Sequence, residues 1–400
     1  MKFTTALSEF QSILQKTLPA IPKKSTLPVL EHLHFSLSDD KLRIIATDQD
    51  ITIMSNLKVN GTDDGSVLVP GRRISEIAKA LSNSGEIEFS TKEDSFDITI
   101  KTANGKYGMK GLNPEEYLDL PELFDSEKPK FDKPEDLQPT DGTIDVGDKV
   151  PAAYLKKSDI SKIASKTVFA VSTDEFRPAM NGVLFQFRET YINAVATDSF
   201  RLVKATLSSE KALFPNDLDL IIPARAVDIL KKIDNDLVMS FIETNGKITH
   251  TRFDVGDTVF ISKLIDEKFP PYESVIPKEN PINVKISQKE LIAAIKRVSI
   301  FTSEISLQVR IVLENDQLKV TGEDEETGAN ADEVITCDYQ GEQFMIGFNH
   351  KYLEEALQNI ETSDDDEITV LLSEPTRPAL IKPGTEKDDL LMLIMPVRLS

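Results

Sequence analysis

Apolar residues recur three and four positions apart along several stretches of the chain, the spacing that gathers them on one face of an α-helix. Leu7, Phe10, Ile13 and Leu14 mark the first face. Leu155, Ile160, Ile163, Ala164 and Val168 mark another, and Leu291, Ile292, Ile295 and Val298 a third. After each face come segments in which apolar and polar residues alternate, the period of a half-buried strand. A second helix then follows, entered through Val69-Pro70-Gly71-Arg72, Ile222-Pro223-Ala224-Arg225 or Gly347-Phe348-Asn349-His350, where Pro and Asn suit a helix start. A hairpin pattern closes each series: Glu86 to Ile100 turning at Glu93-Asp94, Val238 to Arg252 turning at Asn245-Gly246, and Ile368 to Lys382 turning near Glu374-Pro375. Asn-Gly is the strongest of these turn signals, because both residues accept a positive φ.

The same order of elements therefore occurs three times, and the letters repeat with it. LPVLEHLHFSLSDDKLRIIATDQDITI from Leu27 matches RPAMNGVLFQFRETYINAVATDSFRLV from Arg177. Pro28 to Thr47 and Pro178 to Thr197 both span 19 residues, and Phe35 and Phe185 each stand 12 before the Thr of an Ala-Thr-Asp. The third copy is weaker: Ile311 stands 12 before Glu323, and Leu318-Lys319-Val320 replaces Leu42-Arg43-Ile44. The expected fold is α+β, three repeated domains that each back two helices with antiparallel sheets built from about eight short strands. Their expected bounds are 1–120, 149–278 and 279–400, with 121–148 an acidic, Pro-rich connection. KFPPYESVIPKENP, from Lys268 to Pro281, reads as a stiff extended strap between the second and third repeats.

Composition removes several classes. At 400 residues with 40% hydrophobic and 28% charged, the chain can bury sizeable cores. The lone Cys337 excludes an intrachain disulfide and a cysteine zinc site. No apolar run approaches the roughly 20 residues that span a bilayer, and MKFTTALSEF lacks the regions of a signal peptide, so no membrane partner and a cytoplasmic location are expected. Catalytic patterns are missing too: no Gly-rich phosphate loop, nucleophile elbow or Ser-His-Asp order is present. His32 and His34 alternate within a strand without a third ligand at a telling spacing. Glu323 to Glu326 and Asp364 to Glu367 lack the spaced ligands and Gly of a calcium loop. Asp48 and Asp198 occupy equivalent repeat positions, which assigns them to turning the chain rather than to catalysis. Neither an enzyme nor a bound metal or cofactor is expected.

The formal charge of −21 repels nucleic acid unless the basic residues are segregated. They are. The six helical segments together carry +8, which leaves −29 on the rest of the chain. Turned one way, those helices would present Arg72, Arg73, Lys156, Lys157, Lys162, Lys166, Arg225, Lys231, Lys232, Lys289, Lys296 and Arg297 to phosphates, and Lys24 is expected to face the DNA with them. Phosphate contacts position a protein without reading sequence. No basic run rich in aromatics suits stacking of single-stranded bases, so duplex backbone is the expected ligand.

TLPVLEHLHF, RPAMNGVLF with VATDSFRL, KFPPYESVIP, FMIGFNHKYLEEAL and the terminal MLIMPVRL together cover the three repeats. On these motifs the chain resembles the bacterial β sliding clamps, processivity subunits of the replicative DNA polymerase. The resemblance implies a head-to-tail homodimer closing a ring of six similar domains, helical and basic inside, with duplex DNA passing through it. It also implies a pocket between the second and third domains that takes short apolar, Gln-containing motifs of the polymerase, the clamp loader and repair proteins. Transferred by motif, that pocket would comprise Met180, Thr197, Arg201, Leu202, Pro270, Val275, Leu393, Met395, Pro396, Val397, Arg398 and Leu399, with Thr376 and Pro378 at its rim. Ser199 and Phe200 stand where the family often has Gly and then His or Tyr, Ser274 where many members have a basic residue, and Ser400 extends past the usual terminal Leu. The competing reading is an acidic peptide-binding scaffold that does not encircle DNA.

Overall fold

The computed structural model describes residues 1–22, 24–81, 85–92, 94–118, 153–209, 214, 217–362, 366–384 and 389–399. The connection expected at 121–148 lies outside the described residues, as do Glu93, Asp364, Asp365 and Ser400. Among the described residues, six α-helices form, α1 (Leu7–Thr17), α3 (Lys157–Thr167) and α5 (Gln288–Val298) on the apolar faces and α2 (Gly71–Ala80), α4 (Ala224–Leu230) and α6 (His350–Gln358) behind the Pro and Asn entries. Asn349 caps α6, its side chain accepting the Lys351 N–H at 3.0 Å. Pro70 and Pro223 hold the matching positions of α2 and α4 without a side-chain bond.

One boundary differs from the sequence expectation. Leu155 belongs to a strand, Ala153–Leu155, paired with Leu237–Thr244, and α3 begins only at Lys157. The alternation Ala153-Tyr154-Leu155, buried at both ends, outcompetes the helical spacing there.

Each repeat contributes two series of antiparallel strands. The first series runs Gly65–Pro70, His32–Ser38, Lys41–Thr47, Ile51–Lys58 in spatial order, and the other repeats reproduce it. There it reads Leu218–Pro223, Gly182–Phe187, Tyr191–Thr197, Arg201–Ser208, and then Phe344–Asn349, Gln308–Glu314, Gln317–Asp324, Ala329–Thr336. The second series is Lys2–Ala6, Glu86–Thr91, Asp97–Lys101, Lys106–Lys110; then Ala153–Leu155, Leu237–Thr244, Lys247–Val255, Thr258–Lys263; then Ile282–Ser287, Glu367–Leu372, Ala379–Pro383, Leu390–Ile394. Asn245 and Gly246, at φ 54° and 78°, make the two-residue turn their identity predicts.

Two joints fuse these series. Thr258–Lys263 pairs with Ile51–Lys58, placing Phe260 opposite Ile53 in an eight-stranded sheet. Leu390–Ile394 pairs in the same way with Arg201–Ser208, placing Met392 opposite Val203 in a second eight-stranded sheet. The described chain consequently forms two compact units that cut through the second repeat: 1–157 with 233–264, and 158–232 with 265–400. Lys106–Lys110 is left at the edge of a five-stranded sheet in the first unit. Ala329–Thr336 is left at the edge of a four-stranded sheet in the second.

Within each repeat, the first helix caps the end of the second. Gln11 Nε2 donates to Ala78 O at 2.6 Å, Ser161 Oγ to Lys231 O at 3.0 Å, and Gln288 Nε2 to Leu357 O and Ile360 O at 2.5 and 2.8 Å. Carbonyls that a helix end leaves without partners are thereby satisfied.

The Ala-Thr-Asp repeats build one corner twice. Thr47 Oγ1 donates to Ile51 O at 3.0 Å and Thr197 Oγ1 to Arg201 O at 2.7 Å. Asp48 Oδ1 accepts the Asp50 and Ile51 N–H groups at 3.1 and 2.7 Å; Asp198 Oδ1 accepts those of Phe200 and Arg201, both at 2.9 Å. Gln49 and Ser199, each between them, take φ of 81° and 79°. Asp48 and Asp198 therefore turn the chain, as their equivalent positions predict. The third repeat keeps only part of this corner: Asp324 Oδ1 accepts the Glu326 N–H at 3.1 Å, but Glu323 stands in place of the Thr and Glu325 takes no positive φ.

Candidate functional site

The second unit holds all fourteen residues assigned to the peptide site. Leu202 and Leu393 lie opposite one another across the joint of Arg201–Ser208 with Leu390–Ile394. Both are buried in an apolar cluster with Leu184, Val195, Ile221, Phe269, Tyr272 and Leu380. The strap supplies Phe269 and Tyr272 to this cluster. Tyr272 reaches through it to donate its hydroxyl to Gln186 Oε1 at 2.7 Å, and burial pushes that phenol up to about 12. Pro270 O accepts the Tyr272 N–H at 2.7 Å, which starts the short turn that carries Val275, 50% exposed. Ala179, Ile265, Ile276 and Leu371 pack at the margin.

Met180 and Thr197 are buried beside the corner, Thr197 holding it closed and Met180 Sδ accepting the Ser199 hydroxyl at 3.7 Å. Arg177 donates to that same hydroxyl at 2.7 Å. The terminal segment is anchored twice. Met395 N–H donates to Phe200 O at 2.8 Å, and Val397 N–H donates to Gly347 O at 2.9 Å. Leu399 lies so close over Gly347 that a Cβ there would come within 2.7 Å of its Cδ2. Pro396 is half-buried and Arg398 exposed, while Thr376 and Pro378 occupy the turn that leads into Ala379–Pro383.

Arg201, expected in the pocket, is held by the protein's own groups. It is only 8% exposed and directs its guanidinium inward. Nε donates to Asp198 Oδ2 at 3.1 Å, one terminal nitrogen to Phe169 O at 2.8 Å, and the other to the Glu355 carboxylate. The group sits 5.2 Å from the Phe169 ring centroid and 4.8 Å from that of Tyr352. These donors are spent on the protein, so Arg201 ties the corner to α6.

Phe200, expected to alter the pocket wall, lies beside these residues, as do Tyr352, Gly347 and the strap aromatics, to which sequence reasoning assigned no role. Phe-Pro-Pro-Tyr was the available signal: aromatic residues flanking a proline pair have little reason to sit in a bare spacer.

The basic residues divide by unit. In the first, Lys24, Arg72, Arg73, Lys156 and Lys157 are exposed; the Lys157 backbone N–H donates to Asp236 at 2.8 Å, and the charges of Lys156 and Lys157 help to lower the Asp236 pKa. In the second, Lys231 and Arg225 are exposed, though partial burial lowers the Arg225 pKa, and Arg225, like most of the others, already has a partner within the protein. Lys162 meets Asp389 at 2.7 Å, which raises its pKa, and Lys232 meets Asp228 at 2.8 Å. Lys296 meets Glu354 at 3.5 Å, Lys289 meets Asp366 at 3.8 Å, and Arg297 forks onto Glu333. Lys166 departs from the expected phosphate-facing role. It is 5% exposed, with Nζ donating to Asn359 O at 2.7 Å and 3.2 Å from Glu361, and burial lowers its pKa. A lysine that caps the end of α6 is not available to a phosphate.

Among the described residues no group of three or more His, Cys, Asp or Glu is placed to hold a metal ion, and no helix is long and apolar enough to cross a membrane. His32 Nδ1 lies 3.0 Å from Pro28 O, whereas His34 stacks on Tyr117 at 5.5 Å.

Comparison with known proteins converges on one family. Models of the DNA polymerase III beta subunit match in sequence: its N-terminal domain over residues 1–121, its central domain over 154–271 and its C-terminal domain over 273–398. The beta sliding clamps of Staphylococcus epidermidis and Staphylococcus aureus are 29% and 28% identical to the chain over 409 residues, covering all of it and 99% of each relative. A sliding clamp from Bartonella birtlesii, solved bound to griselimycin, superposes with a TM-score of 0.83 at 26% identity, over the full length of both chains. The corresponding griselimycin-bound clamp of Pseudomonas aeruginosa gives a TM-score of 0.85 at 24% identity, again over both full lengths.

Proposed function

The chain belongs to the bacterial β sliding clamp family, and from that premise we propose that two copies close head to tail around duplex DNA and hold the replicative polymerase on it. The function is topological and needs no catalysis: processivity comes from enclosure, and weak backbone contacts leave the ring free to slide. Its replication role places the protein in the cytoplasm. Three domains, at 1–120, 149–278 and 279–400, are the working units of this reading, with 121–148 a connection between the first two.

The strand joints carry the proposal. Twice, the last strand of one repeat's second series pairs with the fourth strand of the preceding repeat's first series. A third joint of this kind needs Lys106–Lys110 and Ala329–Thr336, both left as edges. An open edge invites another chain, and a heterologous contact repeated by a two-fold closes a ring. Charge favours the match: Lys106 and Lys110 would face a strand carrying Asp332 and Glu333. Ile300, Phe301 and Ile305, exposed after α5 in the same repeat, supply apolar area for the contact.

Sedimentation with electron microscopy tests the closure. A dimer appearing as a six-lobed ring is expected. A monomer at every concentration would favour the scaffold reading, which keeps the peptide site and loses the ring. Exposed cations on or next to the helices, among them Arg72, Arg73, Lys156, Lys157, Lys231 and Arg225, are the proposed phosphate contacts, with Lys162, Lys232, Lys289, Lys296 and Arg297 available where DNA outcompetes their carboxylates. The partner-peptide site is proposed at Met180, Leu202, Pro270, Val275, Leu393 and Met395 to Leu399. Removing residues 395–400 should abolish binding of a polymerase-derived peptide with the dimer intact, and unchanged peptide affinity would refute the assignment.

A further inference from the structure

We propose that the free edge of Ile282–Ser287 is a second docking groove, which takes an extended, basic segment of a partner protein as an added strand. None of the groove's residues belongs to the peptide site or to the ring joint proposed above.

The first and third repeats share a local plan here and then part. In the first, Asn60–Asp63 runs along Lys2–Ala6 as an edge strand, with Thr4 opposite Asn60, Phe3 opposite Gly61 and Lys2 opposite Asp63. Asp40 positions it: the Asp40 carbonyl accepts the Val59 N–H and its Oδ1 the Gly61 N–H, both at 2.8 Å. The third repeat repeats this fastening. The Asp316 carbonyl accepts the Cys337 N–H at 3.0 Å, and its Oδ1 accepts the Tyr339 N–H at 3.3 Å. Pairing starts as well, since Lys285 and Asp338 exchange backbone bonds at 3.3 and 2.8 Å, but it ends with that one bridge. Tyr339 stands where the first repeat has Gly61, and its hydroxyl donates to Glu342 O at 2.5 Å. Gly341 lies so close over the ring that a Cβ there would come within 2.5 Å of the hydroxyl oxygen. The chain therefore folds over Tyr339 instead of continuing along the edge, and leaves a groove of about 620 Å³ between Ile282–Ser287 and 338–344.

Backbone groups along a strand point alternately to its two sides. With Lys285 turned to Asp338, Asn283 turns its N–H and C=O to the same side, while Ile282 and Val284 face Glu367–Leu372. Asn283 is exposed, so the groove is bounded by an edge that can bond an incoming strand. The opposite wall is already fixed, because Gln340 Nε2 donates to Asp316 Oδ2 at 2.6 Å. Charge selects the occupant. Asp338 and Glu342 line the groove, are exposed and have no cationic partner among the described residues. Lys285, the cation of the lining, is held by Glu367 at 3.3 Å. Pro281, Ile282 and Phe344 add apolar surface. A segment alternating apolar and basic residues meets both demands, whereas the chain's own acidic connection at 121–148 is repelled.

The probe is a short fluorescein-labelled peptide of alternating Val and Lys, measured by fluorescence anisotropy on the full-length protein. Controls replace Lys by Glu, or N-methylate every second amide in either phase. The Val-Lys peptide should bind, the Val-Glu peptide should not, and one phase of methylation should abolish binding. Asn283→Pro removes the edge N–H without touching the bonds to Glu367–Leu372, and should weaken binding about 2- to 10-fold. Asp338→Asn and Glu342→Gln should each weaken it about 1.5- to 5-fold. A labelled polymerase-derived peptide, measured alongside, should bind all variants equally. Hydrogen exchange at the Asn283 amide should be fast in the free protein and slow with the Val-Lys peptide bound. No binding, equal binding of the Val-Glu peptide, or indifference to both methylation phases and to Asn283→Pro overturns the proposal. An Asn283 amide already protected in the free protein also overturns it, since the chain itself or a second copy then fills the groove.

Discussion

Arg201 separates two accounts of the partner site. The family resemblance makes it a peptide contact; its geometry makes it the fastener between the corner and α6. Replacing it with Ala removes a buried cation whose loss strands Phe169 O and bares one oxygen of Asp198. Breaking a buried ion pair costs about 3–5 kcal/mol. Two corrections reduce that figure. Asp198 keeps both backbone N–H bonds to its other oxygen, and Glu355 is half exposed and reclaims water, so its share is the ~0–1 kcal/mol of a surface pair. About 3 kcal/mol remains, which for a compact unit of roughly 200 residues lowers Tm by about 6–12 °C. Thermal unfolding of wild type, Arg201→Ala and Arg201→Lys is the assay, with peptide affinity measured alongside. Lysine restores charge but not the fork that reaches three acceptors, so it should fall between the other two. A variant Arg201→Ala with unchanged Tm and a tenfold loss of peptide affinity would refute the argument and return Arg201 to the ligand.

Three further outcomes follow from individual contacts. Lys166→Met should leave the salt dependence of retention on circular duplex unchanged because its ammonium is buried, whereas Arg72→Ala should reduce the slope by about one; equal slopes for the two would contradict the assignment. His34 has a pKa lowered by burial and then by Arg43, so the folded state binds its proton less readily than the unfolded chain. Its contribution to stability is whole above pH 6.5 and declines as pH falls toward the lower folded pKa. Phe in its place should flatten that part of the stability profile in chemical denaturation from pH 7 to 5. Gly347→Ala should push Leu399 and Val397 away, weakening peptide binding about 3- to 10-fold in the same anisotropy assay, about 1 kcal/mol of overpacking.

The architecture was legible because periodicity and repetition act together. Each helical face and the Asn245-Gly246 turn could be placed from local spacing, and equivalent residues such as Asp48 and Asp198 supported one another. The joints were not legible, since pairing Thr258 with Ser55 joins residues two hundred positions apart and leaves no local mark. The site was half legible. Apolar residues of the motifs could be named, but whether a charged residue points at a ligand or at its own fold depends on neighbours brought by other elements. Lys166 needed the end of α6 and Arg201 needed Phe169, Tyr352 and Glu355 before either could be understood.

The two corners show how one scaffold acquired a site in only one of its copies. Thr47 to Ile51 and Thr197 to Arg201 share their hydrogen bonds and their positive φ, so the backbone of the turn is set by Thr and Asp alone. Side chains at the last two positions are then free to differ. In the first repeat they are Asp50 and Ile51, a polar residue and a buried one facing Ser262 across the joint. In the second they are Phe200 and Arg201, and the joint brings Ile394 and then Met395 beside them. The same turn that merely ends a strand in one copy therefore becomes, in the other, an aromatic surface backed by a buried cation. Ser199 bears a cost for this arrangement. A non-glycine residue at φ 79° is strained by about 1 kcal/mol, and its hydroxyl offsets part of that by accepting Arg177 and donating to Met180. Glycine at this position would relax the backbone and cut that link, so Ser199→Gly should raise Tm or leave it unchanged while loosening Met180 at the edge of the peptide site. A fall in Tm would mean that the hydroxyl contacts outweigh the strain.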